Sequence, residues 1–156
     1  DLVTNVEKIE AHYFAGQAHL GNNNIDKAYD AFSKASALTT NEIGVESRFH
    51  MADILFQKGK LDESKAKCQE IINDMPAYEE WIVRSYILLA DISAAKGDFA
   101  QAKATLNSII DNYKGDPALV ELAKQKLEQI EQMEKSGRRK PSTDTNDDEE
   151  LNFDNN

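Results

Sequence analysis

Residues 85–109 read SYILLADISAAKGDFAQAKATLNSI, and the rest of the chain is best understood from them. A small residue, Ala90, sits amid apolar neighbours. Seven positions on comes Gly97, nine on Phe99, twelve on Ala102, sixteen on Leu106 and nineteen on Ile109. Apolar residues recur at spacings of three and four on both sides of the glycine, the period of a helix rather than a strand. The spacing predicts two helices reversing at Gly97, with Ala90 and Ala102 letting their axes approach closely.

The same pattern occurs twice more without gaps. With Gly16 and Ala52 placed in register with Ala90, the preceding residues are Ala15, Met51 and Leu89. The turn position holds Asn23, Gly59 and Gly97; the large apolar position Ile25, Leu61 and Phe99; the small one Ala28, Ser64 and Ala102. Sixteen after each anchor stand Phe32, Cys68 and Leu106, and nineteen after stand Ala35, Ile71 and Ile109. The anchors are 36 and 38 residues apart. Each helix pair leaves an apolar side that only the next can cover, so the pairs must stack.

Helices are expected at about 3–21, 25–38, 42–58, 61–74, 79–96, 98–113 and 117–135, and no segment alternates as a strand would. Asp116-Pro117 is a start signal for the last: Asp caps free amides and Pro suits the first turn. Leu119, Leu122, Ala123, Leu127, Ile130 and Met133 line one stripe of it. From Ser136 the composition turns to Ser, Thr, Asn and acid, with Leu151 and Phe153 the only large apolar side chains. Residues 1–136 are read as the folded unit, with Gly137 ending the last helix and 137–156 a disordered acidic tail.

These blocks resemble the tetratricopeptide repeat family, whose helix pairs recur every 34 residues with this small-residue, turn and alanine pattern. The resemblance covers about 9–113, as repeats at about 9–40, 45–76 and 83–113, and implies an all-α solenoid of three helix pairs with a capping helix at 117–135. Ala123 then stands at a fourth anchor. Extra residues around Thr39–Glu42 and Met75–Glu80 lengthen two connections, and Tyr78 and Trp81 either fill that second gap or form a contact edge. The third block's wording also resembles repeat segments of bacterial cell-envelope proteins, outer-membrane assembly lipoproteins among them. That favours a periplasmic or outer-membrane-associated setting over a cytoplasmic one.

With 18 Lys+Arg against 28 Asp+Glu the formal charge is −10, which disfavours nucleic acid and anionic lipid as partners. The apolar run Tyr86 to Ala90 is far short of the roughly 18–20 residues of a membrane span. A chain beginning at Asp1 is expected to be processed or excised from a longer one. Cys68 shares its register with Phe32 and Leu106, as a core thiol would. His12, His19 and His50 offer no pair at metal-binding helical spacing, and His19 is expected between helices. Asp144 to Asp148 begins like a calcium loop, but Glu149 and Asn155 stand where glycine and glutamate belong. No phosphate loop or nucleophilic triad is evident, so neither cofactor, metal nor enzymatic activity is expected.

The resemblance implies that first helices line a concave face at three before, one after and four after each anchor. Those positions hold Tyr13, Gln17 and Leu20; Phe49, Asp53 and Phe56; and Ile87, Asp91 and Ala94, with Arg84 flanking the third set. Family members that grip a terminal carboxylate present Lys and Asn at the first two positions; this chain does not. The expected function is a non-catalytic scaffold whose groove binds a protein or peptide segment with apolar and basic residues, through aromatic anchors and the carboxylates of Asp53 and Asp91. In the alternative, Asp53 and Asp91 pair with Arg48 or Arg84, Phe49 and Phe56 pack internally, and the stack is a spacer or self-association segment.

Overall fold

The computed structural model describes residues 2–138, with side chains over 4–137. Seven helices follow one another: α1 (Leu2–Gly21), α2 (Ile25–Leu38), α3 (Glu42–Gln57), α4 (Leu61–Asp74), α5 (Glu79–Ala95), α6 (Phe99–Asn112) and α7 (Pro117–Arg138). Each packs on the next, and first helices also touch, α1 with α3, α3 with α5 and α5 with α7. The chain is an all-α helical-repeat solenoid.

The three turn residues are built alike. Asn23, Gly59 and Gly97 have φ of 57°, 73° and 85°, the left-handed conformation that glycine and asparagine tolerate. Asn24, Lys60 and Asp98 donate their amides to the carbonyls of His19, Leu55 and Ser93, at 2.8, 2.9 and 2.9 Å. Asn23, Gly59 and Gly97 donate to Leu20, Phe56 and Ala94, each at 2.9 Å. This pair of bonds satisfies carbonyls that a helix end leaves free, and the next helix starts one residue later. A single left-handed residue thus sets each hairpin.

At the crossings, small and large trade places. Gly16 is buried, and a Cβ there would lie 2.6 Å from Phe32 Cε1, so the largest of the sixteenth-position residues faces the smallest anchor. Ala52 shares a core cluster with Cys68, and Ala90 another with Leu106; all four are fully buried. Ser64 donates its hydroxyl to the Ala52 carbonyl at 2.7 Å, so a hydroxyl is accommodated in the second crossing.

The two longer connections are held by specific contacts. Asn41 caps α3 by accepting from the Gly44 amide at 3.3 Å. A Cβ at Gly44 would meet the Thr39 carbonyl at 2.1 Å, so glycine is required where the chain folds back. Beyond α4, Met75, Val45 and Ile71 form a cluster against which Tyr78, Trp81 and Phe49 pack. Tyr78 and Trp81 therefore fill the gap left by the insertion. Arg48 joins the last turn of α2 to the connection after α4, donating to the Ser36 carbonyl at 3.1 Å and lying 3.4 Å from Met75 Sδ.

Helix α7 packs on α6 and α5, burying Leu119, Ala123 and Ile130 among residues of both. It continues through Gly137 to Arg138, past the end read from the sequence. A glycine inside a helix costs only about 1 kcal/mol, and by itself does not end one. The expected tail, and the calcium-like stretch from Asp144, lie outside the described residues from 139 on.

Candidate functional site

The first-helix positions divide into three stations. At the first, between α1 and α3, four polar groups converge. Tyr13 donates its hydroxyl to Glu46 Oε1 at 2.8 Å, and Gln17 Nε2 donates to the Tyr13 hydroxyl at 3.0 Å. Gln17 Nε2 lies 3.3 Å from His50 Nε2, which is 3.5 Å from Glu46 Oε1. The His50 ring stacks on Phe32 with centroids 4.6 Å apart. Burial lowers the His50 pKa, against the pull of the Glu46 and Asp53 carboxylates and with a smaller push from Arg84. The imidazole is thus neutral at neutral pH and can accept from Gln17. Burial, and the hydrogen bond to Glu46, raise the Tyr13 hydroxyl above its usual range. Leu20 packs half-buried against Ala28, Phe32, Met51 and Ile54.

The second station lies on α3. Phe49 is half-buried, its ring 5.5 Å from that of Trp81, and Phe56 packs half-buried beside Ala52, Cys68 and Leu88. Asp53 lies between them in the register and accepts from Gln57 at 2.8 Å. No described cation lies within salt-bridge distance of it. Its field is felt by His50, Asp91 and Cys68. Burial, aided by that field, pushes the Cys68 thiol up to about 12, so the thiolate is scarce at neutral pH.

The third station is closed. Ile87 is only 4% exposed, within the cluster that α7 completes. Asp91 Oδ2 is 2.7 Å from Lys126 Nζ of α7, with the side chains 16% and 30% exposed. Burial raises the Asp91 pKa, and Lys126 opposes the shift. Arg84 pairs instead with Glu80, at 2.9 Å from Nη2, and lies 5.3 Å from the Trp81 ring centre. The pairings expected for Asp53 and Asp91 with Arg48 or Arg84 are therefore replaced. Arg48 serves the end of α2 and the connection at Met75, Arg84 its own helix, and Lys126 takes Asp91. Ile87 and Asp91 cannot act as open groove residues while α7 is in place.

Sequence reasoning missed Glu46, His50 and Lys126. The first was within reach: it stands six before its anchor, the register place of Arg84. Lys126, three after the Ala123 anchor, carried no such signal.

Among the described residues, no three His, Cys, Asp or Glu are placed to hold a metal ion. His19 is half-buried beside Ala15, Ala31 and Lys34. A depression of about 570 Å³ lies away from the three stations, lined by Tyr86 of α5 and by Gln101, Thr105, Ser108 and Tyr113 of α6 and the residue beyond it. No described helix is long and apolar enough to cross a membrane.

Residues 84–116, covering most of α5 and all of α6, match the model of the tetratricopeptide repeat family. No curated protein and no solved structure matches the chain. Tetratricopeptide repeats generally mediate protein–protein interaction and are typically non-catalytic.

Proposed function

We propose that the chain is a non-catalytic interaction scaffold whose first two stations hold a segment of a protein partner. The observation that carries the reading is Asp53: a half-buried carboxylate between Phe49 and Phe56 in the helix register, with the Gln57 amide and no described cation beside it. A Lys or Arg of the partner would pair with it while apolar neighbours contact Phe49 and Phe56. Tyr13, Gln17, Glu46 and His50 offer the same segment a neutral-to-acidic continuation, with Arg84 at its far edge. Placement in a bacterial cell envelope belongs to the proposal too, supported by the wording of residues 85–92.

The test is selection from a displayed peptide library against the full chain. Enriched peptides should carry a basic residue flanked by apolar ones, and capture should be lost with Asp53→Lys while the helical melting curve is retained. A library with no enrichment, or enrichment indifferent to residue 53, overturns the groove. The alternative, a structural spacer, draws support from the closure of the third station and the inward packing of both phenylalanines; it predicts the empty selection.

A further inference from the structure

A trough runs along α5 beside α6, in the interior of the repeat stack. Its larger part is the depression of about 570 Å³, with Tyr86 of α5 on one side and Gln101, Thr105, Ser108 and Asn112 of α6 on the other. Those four stand at i, i+4, i+7 and i+11, one helix stripe about 16 Å long. Tyr86, Gln101 and Thr105 also line a second depression of about 240 Å³, which includes Leu89 and Ile92 and reaches Lys65 of α4 and Lys96. Tyr86 is 39% exposed and stacks on no described ring.

The larger part has no charged residue in its lining, although 29% of the chain is charged. The same register places are charged in the other pairs. At eleven, fifteen, eighteen and twenty-two after the anchor, the first pair has Lys27 and Lys34 among them, and the second has Glu63, Lys67, Glu70 and Asp74 throughout. Four before the anchor, His12 and Arg48 stand where the third pair has Tyr86. In the second pair these groups are engaged with the protein itself: Lys67 pairs with Glu70 at 3.0 Å, and Arg48 donates to the Ser36 carbonyl. In the third pair, neutral hydrogen-bonding groups are left open. Gln101 Nε2 donates to Thr105 Oγ1 at 3.3 Å and Asn112 Nδ2 to the Ser108 carbonyl at 3.0 Å, so both side-chain carbonyls remain free to accept. The Tyr113 hydroxyl accepts from the Asp116 amide at 3.1 Å and keeps its proton to donate.

We propose that this trough binds a neutral oligosaccharide, one sugar face laid on the Tyr86 ring and its edge groups bonded along the α6 stripe. The volume falls within the roughly 300–1,000 Å³ of small-ligand sites. A sugar ring has an apolar C–H face for an exposed aromatic, and uncharged donors and acceptors around its edge for amides and hydroxyls. An anionic ligand would find no cation along the stripe, and a cationic one no carboxylate, so each would lose hydration without a partner. Ala104 and Ser108 are of types depleted at protein–protein interfaces, which sets this lining apart from a surface for a polypeptide. The length of the stripe calls for an oligomer rather than a single ring.

The probe is chitotetraose, the uncharged, flat-faced β-1,4 tetramer of N-acetylglucosamine, titrated into the isotope-labelled full chain and followed by NMR. Saturable shifts should centre on the amides of residue 86 and of 101–113 and spare α1 to α3. Tyr86→Ala should weaken binding roughly tenfold or more, and Ser108→Glu, which restores the charge of the second pair, comparably. Both positions are exposed, so the melting curves of the variants should match the wild type. Tetragalacturonate, with a carboxylate on every ring, should not bind. Absence of saturation with chitotetraose, shifts centred elsewhere, equal binding to the Tyr86→Ala chain, or equal binding of tetragalacturonate overturns the proposal. So does tighter binding of an uncharged Ser-Thr-Asn peptide at the same residues, because a polypeptide would then own the trough.

Discussion

Replacing Gly16 by alanine should destabilise a helix that ordinary propensity says it would strengthen. In a helix interior, Gly→Ala is worth about 1 kcal/mol in favour of the folded state. Here the new Cβ would stand 2.6 Å from Phe32 Cε1, well inside the 3.4–4 Å of ordinary contact. The ring has nowhere to retreat. It is fully buried, packed by Ala28, Met51 and Ile54, and stacked on His50. Overpacking costs about 1–3 kcal/mol, and the enclosure places this case in the upper half. The net loss should be about 1–2 kcal/mol, or roughly 2–8 °C in Tm for a chain of this size. Gly21→Ala, with nothing within 4 Å of its Cβ, is the control and should be neutral or slightly stabilising. Adding Phe32→Leu recreates the Ala90–Leu106 pairing of the third crossing. The double variant should therefore beat the sum of the single losses by about 1 kcal/mol or more. Urea melts followed at 222 nm measure all four. A Gly16→Ala chain as stable as the wild type, or single costs that simply add, would refute the exchange of small for large at the crossings.

Further outcomes are expected elsewhere. Gly97→Ala should cost about 1–2 kcal/mol through its left-handed φ, and Gly97→Asn clearly less, since Asn23 holds the same place in the first turn; equal urea midpoints would contradict this. Burial depresses the His50 pKa below its unfolded 6.5, so the unfolded state binds the extra proton first. Its contribution is present above that value and lost as pH falls. A His50→Leu chain, which places there the residue that Leu88 supplies in the third pair, should lose less stability than the wild type between pH 7 and 5. Lys126→Met should leave Asp91 without its cation and cost about 1–2 kcal/mol at neutral pH, discounted for the partial exposure of the lysine. That penalty should fade on acidification as Asp91 protonates, and a loss independent of pH would count against the pair. Cys68, buried and with its thiol pushed up to about 12, should react with a disulfide reagent far more slowly in the native chain than in urea; equal rates would contradict its placement.

The repeat register made the fold legible because its devices are local. A positive φ at Asn23, Gly59 and Gly97, and smallness at Gly16, Ala52 and Ala90, are demands on single residues, and spacing alone exposes them. The site was less legible because its chemistry joins side chains on different helices. Tyr13 and Glu46 are 33 positions apart, and their meeting depends on how α1 crosses α3. Asp91 stands on the face its register requires, yet its partner Lys126 comes from a helix whose depth no period predicts. Gly137 reads as a stop because glycine often follows a helix; here no left-handed turn is formed and the helix runs on to Arg138.

The closure of the third station by α7 acts as a ruler. Two steps between neighbouring first helices remain, each about 8–10 Å as packed helices stand apart. An extended chain covers about 3.3 Å per residue, so the trough accommodates only some five or six of them. A partner segment of the kind proposed would therefore meet the protein as a short phrase within a longer polypeptide, with the grip of a brief motif.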